Sequence, residues 1–371
     1  MGKKLKIAFA ILVFWVFLFL GWEWWYSYPK IRFHPVVATN SEDHKVDSIL
    51  HQAISDYLLP GISVAVVKDG KVKYLKAFGF KNLELKDTLN TDSKILVASV
   101  SKLFTALTTA SILLKQDIQP DDRVKELKVL HDQSSSSFYD LKISEILLHR
   151  SGIKDESIAE RLLAFSRKSN LDQWGESFIK SYSAGKSNEY QYADANYDLL
   201  GYLLQDSEKL SFNTIAHDAV FQKAGMNSSE FIREWPQTEN SLTGYQSTVI
   251  WKRIAPKRIK FEFLPSPSSG MITTTKDVSV ALIHLLRGDM GVFQPALDWL
   301  EDNQGDIVGF QKVDINGQEW LGHFGGQAGY SSFLFYNRKS EIGIFLFANS
   351  KDVDDFRLKI ATQLAAHFMS E

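Results

Sequence analysis

The spacing of apolar residues divides the chain into segments of different predicted structure. Residues Val46 to Leu59 carry apolar side chains at helical spacing and end before a Pro-Gly pair, which predicts an amphipathic helix. Two runs rich in β-branched and aromatic residues follow, Ile62 to Val67 and Val72 to Phe78. Because the short stretch between them contains an Asp-Gly pair, they predict a β-hairpin.

The pattern changes to helices and back to strands along the rest of the chain. From Ser99 to about Lys260 most apolar residues recur at helical spacing. Strand-type runs return after Gly309, at residues 319–321, 331–335 and 342–347, before an amphipathic helix from Val353 to Phe368. Strands at both ends predict an α+β domain: one antiparallel sheet flanked by helices, with a mostly helical subdomain inserted at about residues 99–260.

The first 28 residues are a targeting segment. Three lysines precede the unbroken apolar run from Ile7 to Leu20, and five Trp and Tyr residues follow it before Pro29. The run alone suits a cleaved signal peptide, whereas a membrane-spanning helix needs about 20 residues, a length reached when the aromatic residues are included. Bulky aromatic side chains stand where a cleavage site needs small ones, which favours an uncleaved signal anchor over a cleaved signal peptide.

This anchor predicts the topology of the whole chain. Lysines on the N-terminal side of a spanning helix stay in the cytoplasm. The segments that follow, a tether at residues 29–45 and a large domain at residues 46–371, then lie outside the inner membrane.

Composition and charge narrow the classes of function. With 44% hydrophobic and 23% charged residues, the chain has the composition of an ordinary globular protein. Its net charge of −2 and the short basic cluster from Lys252 to Lys260 do not favour a nucleic-acid partner. The absence of cysteine excludes disulfides and thiolate metal sites, and the histidines lack zinc-type spacing, so no metal is expected.

The junction at Ser99, where a β-prone run turns into a long helix, carries the main candidate chemistry. A residue in the first turn lies near unpaired backbone N–H groups and the positive end of the helix dipole, which both stabilise an anion. Lys102 returns to the same face one turn later, within reach of the Ser99 hydroxyl. A lysine removed from water can lose its charge and serve as the base for a serine nucleophile. A helix-capping serine beside a solvated lysine would fit the same spacing.

Spacing alone does not identify the nucleophile, because Ser-x-x-Lys occurs five times in the sequence. Proline or glycine interrupts the helix context at Ser27, Ser151 and Ser183. Ser177 remains as a rival, but no buried helix is predicted to continue from it. Context therefore favours Ser99.

The stretch ASVSKLFTAL around Ser99 resembles the nucleophile motif of the serine β-lactamase and penicillin-binding-protein superfamily, in particular the class C β-lactamase-related serine hydrolases. Further stretches resemble this family in the same order along the chain. They are PGISVAVVKDGKVKYLKAFGF from Pro60, ISEILLHRSGI from Ile143, YADANYDLLGYLL from Tyr192, SSGMITTTKDV from Ser268 and GHFGGQAGYSS from Gly322. The resemblance covers nearly all of the chain from about residue 45 and implies the same α+β architecture and an acyl-enzyme mechanism without a cofactor.

The resemblance gives Tyr192 a role that its spacing alone does not, since an isolated tyrosine on a helix is ordinarily a packing residue. In the family's Tyr-x-Asn motif the tyrosine shares proton transfer with the lysine and protonates the leaving group. The third position here is Asp194 instead of Asn. An Asn amide can donate to a substrate carbonyl, whereas an ionised carboxylate can only accept, and it can also pair with Lys102 and hold it charged. The resemblance implies that Asp194 lies in the substrate site, where its carboxylate differs from the Asn amide that the family uses to bind β-lactams.

The stretch His323-Phe324-Gly325-Gly326 resembles the family's Lys-Thr-Gly strand motif in a His-x-Gly form. The resemblance implies that His323 and Gly325 contact substrate and that the backbone N–H groups of Ser99 and Gly326 form the oxyanion hole. His323 replaces the permanent charge of the family's lysine only when it is protonated. A structural histidine would also fit this position.

These residues predict a membrane-anchored serine hydrolase that acts through an acyl-enzyme on an ester or amide. The substrate is a small molecule or peptide, with cell-wall fragments among the candidates. An esterase or peptidase-like activity ranks first, a D,D-carboxypeptidase second and a β-lactamase third, because Asp194 and His323 both depart from the β-lactamase pattern. The alternative is a catalytically inactive, penicillin-binding-type sensor of peptidoglycan fragments or β-lactams.

Overall fold

The computed structural model describes residues 2–27, 44–127, 137–155, 170–182, 189–232, 242–257, 267–302 and 305–370. The helices of these residues are α1 Lys3–Trp25, α2 His44–Tyr57, α3 Ser101–Lys115, α4 Ile143–Leu147, α5 Leu171–Ser181, α6 Asp194–Glu208, α7 Phe212–Ala216, α8 Gln222–Ala224, α9 Thr275–Leu286, α10 Gln294–Leu300 and α11 Phe356–Met369. The strands are β1 Gly61–Lys68, β2 Lys71–Asn82, β3 Asp87–Thr88, β4 Ile95–Leu96, β5 Glu230–Phe231, β6 Tyr245–Ser247, β7 Ile254–Pro256, β8 Met271–Thr273, β9 Gln311–Ile315, β10 Gln318–Gln327, β11 Tyr330–Asn337 and β12 Ile342–Ala348. Shorter helical turns include Ala98–Val100, Gly288–Met290 and the π-helical turn His217–Phe221. The predicted tether, residues 29–45, falls almost wholly outside the described residues.

The main sheet joins the two ends of the domain that begins at residue 46. Within the described residues it has seven antiparallel strands in the order β3-β2-β1-β12-β11-β10-β9. The N-terminal hairpin meets the C-terminal strands where β1 pairs with β12, with Ile62 opposite Ala348. This arrangement confirms the predicted α+β fold with one antiparallel sheet flanked by helices, and smaller sheets and helices occupy the middle of the chain.

Both faces of the sheet are covered. In β12, Phe345 and Phe347 pack into the core that includes α3, whereas Ile344 and Leu346 pack on the other side with α2 and α11. Burial on both faces explains why β1, β11 and β12 are continuous apolar runs without alternating polar residues.

Several predicted elements are confirmed with small shifts at their ends. The predicted hairpin is β1 and β2, and the predicted helix at residues 46–59 is α2. The last helix begins at Phe356 because Asp354 and Asp355 have φ values of 62° and 53°, outside the helical region. The Asp352 carboxylate then accepts a hydrogen bond from the Phe356 N–H at 2.9 Å.

The N-terminal helix α1 agrees with the predicted apolar segment. Residues Lys4–Trp25 have a mean hydropathy of 2.3, long and apolar enough to cross a membrane, a property that uncleaved anchors share with signal sequences. None of its most apolar stretch is buried against the rest of the protein.

Candidate active site

Ser99 lies at the start of the central helix and remains accessible. It sits in the turn Ala98–Val100, between β4 and α3, and its side chain is partly exposed. Ala98 holds a positive φ of 49°, an uncommon conformation for a residue with a Cβ. The Ser101 hydroxyl fixes this turn, because it donates to Ala98 O at 2.6 Å and accepts from Met271 N at 3.0 Å.

Lys102 lies beneath Ser99 and is completely buried. Its Nζ is 3.3 Å from Ser99 Oγ, as the spacing predicts. The same ammonium donates to Asp194 Oδ1 at 2.6 Å and to Ser268 O at 3.0 Å. The three hydrogen-bond donors of a lysine ammonium therefore all have partners, and one of them is the candidate nucleophile.

Asp194 controls the charge of Lys102. Burial alone lowers the pKa of a lysine, but the Asp194 carboxylate and, after it, Tyr192 outweigh that effect and raise the pKa of Lys102. Asp194 is the first residue of α6, where the helix dipole favours a carboxylate. Lys102 is thus an ammonium at rest.

Tyr192 lies on the solvent side of Lys102. Its side chain is 38% exposed, and the Lys102 ammonium is 4.8 Å from the centroid of its ring. The structure thus brings Ser99, Lys102, Tyr192 and Asp194 together in one cluster.

Sequence reasoning left out the residues that hold the Tyr192 segment. The His149 ring packs on the Tyr192 ring at 4.5 Å, and its Nδ1 accepts from Ala193 N at 3.2 Å. Asn196 also reaches His149 Nδ1, at 3.2 Å, and accepts from the Ser151 hydroxyl at 2.6 Å. The available sequence signal was Asn196, two residues after the Tyr192-x-Asp194 motif, but its partner His149 is distant in sequence.

The rival serines have other surroundings. Ser177 is exposed on α5, and the lysine three residues on, Lys180, pairs with Glu176 at 3.7 Å. Ser151 is buried against Asn196, and Ser27 accepts a hydrogen bond from Arg253. Ser183 lies outside the described residues.

Strand β10 brings the second candidate oxyanion donor next to Ser99. A Cβ on Gly325 would lie 2.2 Å from Val97 O and 3.3 Å from Ser99 N, so only glycine allows the strand to approach this closely. The Ser332 hydroxyl of β11 also links the sheet to the segment before Ser99, because it donates to Val97 O at 2.6 Å. Gly326 follows, is exposed, and has open space where a side chain would be.

Arg357 of α11 holds the peptide that carries this donor. Its guanidinium donates to Gly325 O and, at 2.8 Å, to Ser332 O, while Asp352 fixes it through a 2.6 Å bond. Gly325 O and Gly326 N belong to one peptide group, so an arginine on the oxygen orients the N–H at the other end. Arg357 is therefore a candidate positioning residue that the sequence alone did not indicate.

Replacing Arg357 tests this positioning role. We expect Arg357→Ala to slow acylation of Ser99 by about tenfold to a hundredfold, because outright loss of an oxyanion donor costs about 10²–10³ in kcat. The measurement is the second-order rate constant for labelling by a fluorophosphonate, with kcat and KM determined separately for an ester substrate.

A second arginine provides the matched control. Arg338 also donates to a backbone carbonyl, Leu285 O at 3.0 Å, and lies at the turn between β11 and β12. Arg338→Ala should lower stability by a similar amount without slowing acylation. Equal slowing by both variants would leave Arg357 with a purely structural role.

His323 lies in the cluster but does not supply a positive charge at neutral pH. Burial, followed by the nearby Lys102 ammonium, lowers its pKa to about 3. Its Nδ1 lies 2.6 Å from Phe324 O, and since a carbonyl only accepts, the proton of the neutral ring is on Nδ1. The predicted replacement for the family's lysine is thus a neutral ring.

The two buried histidines make stability depend on pH. Burial and then Lys102 lower the pKa of His149 to about 4, compared with about 6.5 for an unfolded histidine. Below pH 6.5 the unfolded chain binds protons that the folded chain does not, so the free energy of unfolding falls as the pH drops toward 4. We expect urea unfolding at pH 7 and pH 4.5 to reveal this loss, and His323→Gln to make it smaller. An unchanged pH dependence in that variant would contradict the assignment.

Among the residues that the structure describes, no cluster of three or more His, Cys, Asp or Glu side chains is placed to hold a metal ion.

Comparisons with known proteins find relatives of this chain and structures of the same fold. Protein flp of Staphylococcus aureus strain NCTC 8325 is 22% identical over 350 residues, covering 89% of this chain and 68% of flp. A D-aminopeptidase of Brucella anthropi is 27% identical over 206 residues, which cover 52% of this chain and 37% of that enzyme. A β-lactamase/D-alanine carboxypeptidase from Pseudomonas syringae has the same fold, with a TM-score of 0.71, 15% identity, and coverage of 88% of this chain and 98% of its own.

The family assignment follows from the extent of the match. The β-lactamase family model matches residues 46–367, which include the hairpin β1–β2, the Ser99 turn, the Tyr192 segment and β10. The chain therefore belongs to the β-lactamase family.

Proposed function

We propose that this protein is a serine hydrolase that forms an acyl-enzyme on Ser99. The observation that carries the proposal is the 3.3 Å contact between a partly exposed Ser99 hydroxyl and a fully buried Lys102 amine. Strand β10, packed against the Ser99 backbone through Gly325, supports an oxyanion hole made of the N–H groups of Ser99 and Gly326.

The Lys102–Asp194 pair determines how a proton can leave Ser99. An ammonium has no lone pair, so Lys102 can accept the Ser99 proton only in its neutral form. The Asp194 carboxylate, 2.6 Å away, disfavours that form. As Ser99 Oγ bonds to the substrate carbonyl carbon, its proton moves to neutral Lys102 and passes through Tyr192 to the leaving group, which departs as the acyl-enzyme forms.

The neutral His323 and the anionic Asp194 support an order among substrates. A β-lactam or a D-alanyl peptide carries a carboxylate, and the cluster offers it no free cation while it presents one carboxylate that is 35% exposed. We therefore place neutral esters and peptide-like amides first, D-alanyl peptides second and β-lactams third. The Asp194 carboxylate also suits substrates that carry a free amine. One relative of this chain is named a D-aminopeptidase.

The N-terminal helix supports a location at the inner membrane. Its length and hydropathy fit a single span, with Lys4 and Lys6 on the cytoplasmic side. The hydrolase domain then faces the periplasm or the outside, where cell-wall peptides are available as substrates.

The resting charge of Lys102 also favours a second candidate function. A lysine held as an ammonium is a poor base for activating the water that must release an acyl group. A protein that acylates and then turns over very slowly acts as a sensor of peptidoglycan fragments or β-lactams.

A substrate panel separates the two functions. Fluorophosphonate labelling should mark the protein once, and turnover of p-nitrophenyl esters, D-alanyl peptides, D-aminoacyl amides and nitrocefin should follow the order given above. Labelling with a single burst of product and no further turnover would support the sensor. No labelling at all would refute the acyl-enzyme on Ser99 and with it the hydrolase.

A further inference from the structure

The end of helix α1 is fastened to the hydrolase domain by a buried carboxylate. Glu23, only 3% exposed, accepts hydrogen bonds from the backbone N–H groups of three successive residues: Val249 at 2.5 Å, Ile250 at 3.2 Å and Trp251 at 3.4 Å. These residues belong to the loop between β6 and β7, which we call the hairpin tip, residues 248–253. The Glu23 carboxylate of the helix is thus stabilised by hydrogen bonds from the hydrolase domain.

Further contacts fix the same two parts together. The Trp251 indole N–H donates to Leu20 O at 3.0 Å. Arg253 donates to Ser27 Oγ at 2.8 Å and Ser27 O at 2.7 Å, and its guanidinium lies 5.3 Å from the Trp24 ring. The hairpin tip therefore holds the last two turns of α1 and leaves the earlier turns exposed.

The hairpin tip remains apolar on its outer side despite these contacts. Val249 is 70% exposed, Ile250 54% and Trp251 45%, and next to them on α1 are Trp22 at 55% and Trp25 at 83%. Large exposed apolar side chains grouped in this way mark a surface that a membrane or another protein covers.

The position of the hairpin tip along α1 indicates that a lipid bilayer covers this surface. An α-helix rises about 1.5 Å per residue, so the sixteen steps from Lys6 to Trp22 span about 24 Å, close to the hydrocarbon thickness of a bilayer of about 30 Å. Trp and Tyr concentrate at the level where the hydrocarbon meets the headgroups. Lys252 and Arg253 add the basic charge that anionic headgroups attract.

We propose that the hairpin tip is a second membrane-contact element, which inserts Val249, Ile250 and Trp251 into the outer surface of the bilayer beside α1. The proposal rests on the anchor proposed above and adds that the hydrolase domain is docked on the membrane and not suspended from a loose tether.

The base of the β6–β7 hairpin contacts the strand that carries the candidate oxyanion donor. Tyr245, the first residue of β6, donates from its N–H to Gly329 O at 3.2 Å and to Asn349 O at 3.0 Å. Gly329 lies in the turn between β10 and β11, three residues after the candidate oxyanion donor Gly326. A strand rises about 3.3 Å per residue, so Tyr245 is roughly 10 Å from the tip at Thr248. The strand that carries Gly326 then lies close to the membrane surface.

A single thiol measures the insertion directly, because the chain contains no cysteine. Ile250→Cys, labelled with an environment-sensitive fluorophore, is placed as the full chain in vesicles of phosphatidylethanolamine and phosphatidylglycerol. Lipids with a doxyl quencher near the headgroup should quench this label at least twofold more than aqueous iodide does. The opposite ranking, iodide above doxyl lipid, would overturn the proposal.

Met290→Cys is the matched control. Met290 is 81% exposed and follows Arg287, which lies near Gly70 at the far end of β1 from Gly61. The eight residues of β1 put that end about 23 Å away from the Gly61–Asn349–Tyr245 contact. Iodide should quench the Met290→Cys label, and doxyl lipid should not.

Two further measurements separate this proposal from the anchor. Intact mass shows whether residues 1–28 are retained, and a start between Gly21 and Asn40 would refute the anchor and with it the docking. Glu23→Ala keeps an apolar helix but removes the acceptor for three N–H groups, so the chain should stay in the membrane while doxyl quenching at residue 250 falls at least twofold. Unchanged quenching in this variant would contradict the docking while leaving the anchor intact.

Discussion

Ser99→Ala should abolish covalent labelling by a fluorophosphonate and reduce hydrolysis of every substrate to the background rate. The expected loss is large, since removal of a catalytic nucleophile costs about 10⁶ in kcat in a well-studied serine protease. The folded state should survive, because the Ser99 hydroxyl is partly exposed and its Lys102 partner keeps Asp194 and Ser268 O. Circular dichroism and thermal unfolding check this point.

Ser177→Ala is the control, because Ser177 is the one rival motif left open by the sequence. Its hydroxyl lies on the exposed side of α5, so the variant should label at the wild-type rate. Peptide mapping of the labelled protein should find the adduct on Ser99. An adduct on Ser177, or normal labelling of Ser99→Ala, would show that the assignment is wrong.

The sequence predicted those parts of the fold that depend on local pattern. The hairpin β1–β2 and the helices α2 and α3 follow from turn residues and periodicity, and each is confirmed. Strand β5 has two residues and is a strand only because it pairs with the distant β8, so no local pattern predicts it. Strands β6 and β7 have three residues each, too few for a strand pattern. The register of β1 against β12 likewise joins residues almost 300 positions apart.

The features of the candidate site that depend on local pattern were likewise predictable, and those that depend on distant contacts were not. The contact between Ser99 and Lys102 follows from one helical turn, and the structure places it at 3.3 Å. The charge of His323 depended on its burial, which no local pattern gives. Arg357 and His149 act through backbone groups of Gly325 and Ala193, so nothing in their own neighbourhood distinguishes them from ordinary surface or core residues.

Asp194→Asn should have the largest effect on which substrates are used. The carboxylate holds Lys102 as an ammonium and faces any anionic substrate, and two unit charges about 4 Å apart interact by roughly 4 kcal/mol at an effective dielectric of about 20. Removing it lowers the pKa of Lys102 and restores an amide donor. We expect kcat/KM for D-alanyl peptides and β-lactams to rise by about tenfold or more, and for neutral esters by much less.

Asp198→Asn is the control for this variant, since it changes the same chemical group four residues along α6. Burial and then the neighbouring Asp194 raise the pKa of Asp198 well above its usual range, so its replacement removes little negative charge. The Asn oxygen can still accept the 2.8 Å hydrogen bond from Ser268 N. Activity on all substrates should therefore change much less than with Asp194→Asn.

The opposite result for Asp194→Asn would be equally specific. A uniform fall in kcat/KM on every substrate means that the carboxylate is the proton acceptor that lets Lys102 deprotonate Ser99, because every substrate requires that step. A fall confined to substrates with a free amine means instead that Asp194 binds the ammonium group. Kinetics on paired D-aminoacyl amides, with the amine free or acetylated, distinguish these two roles.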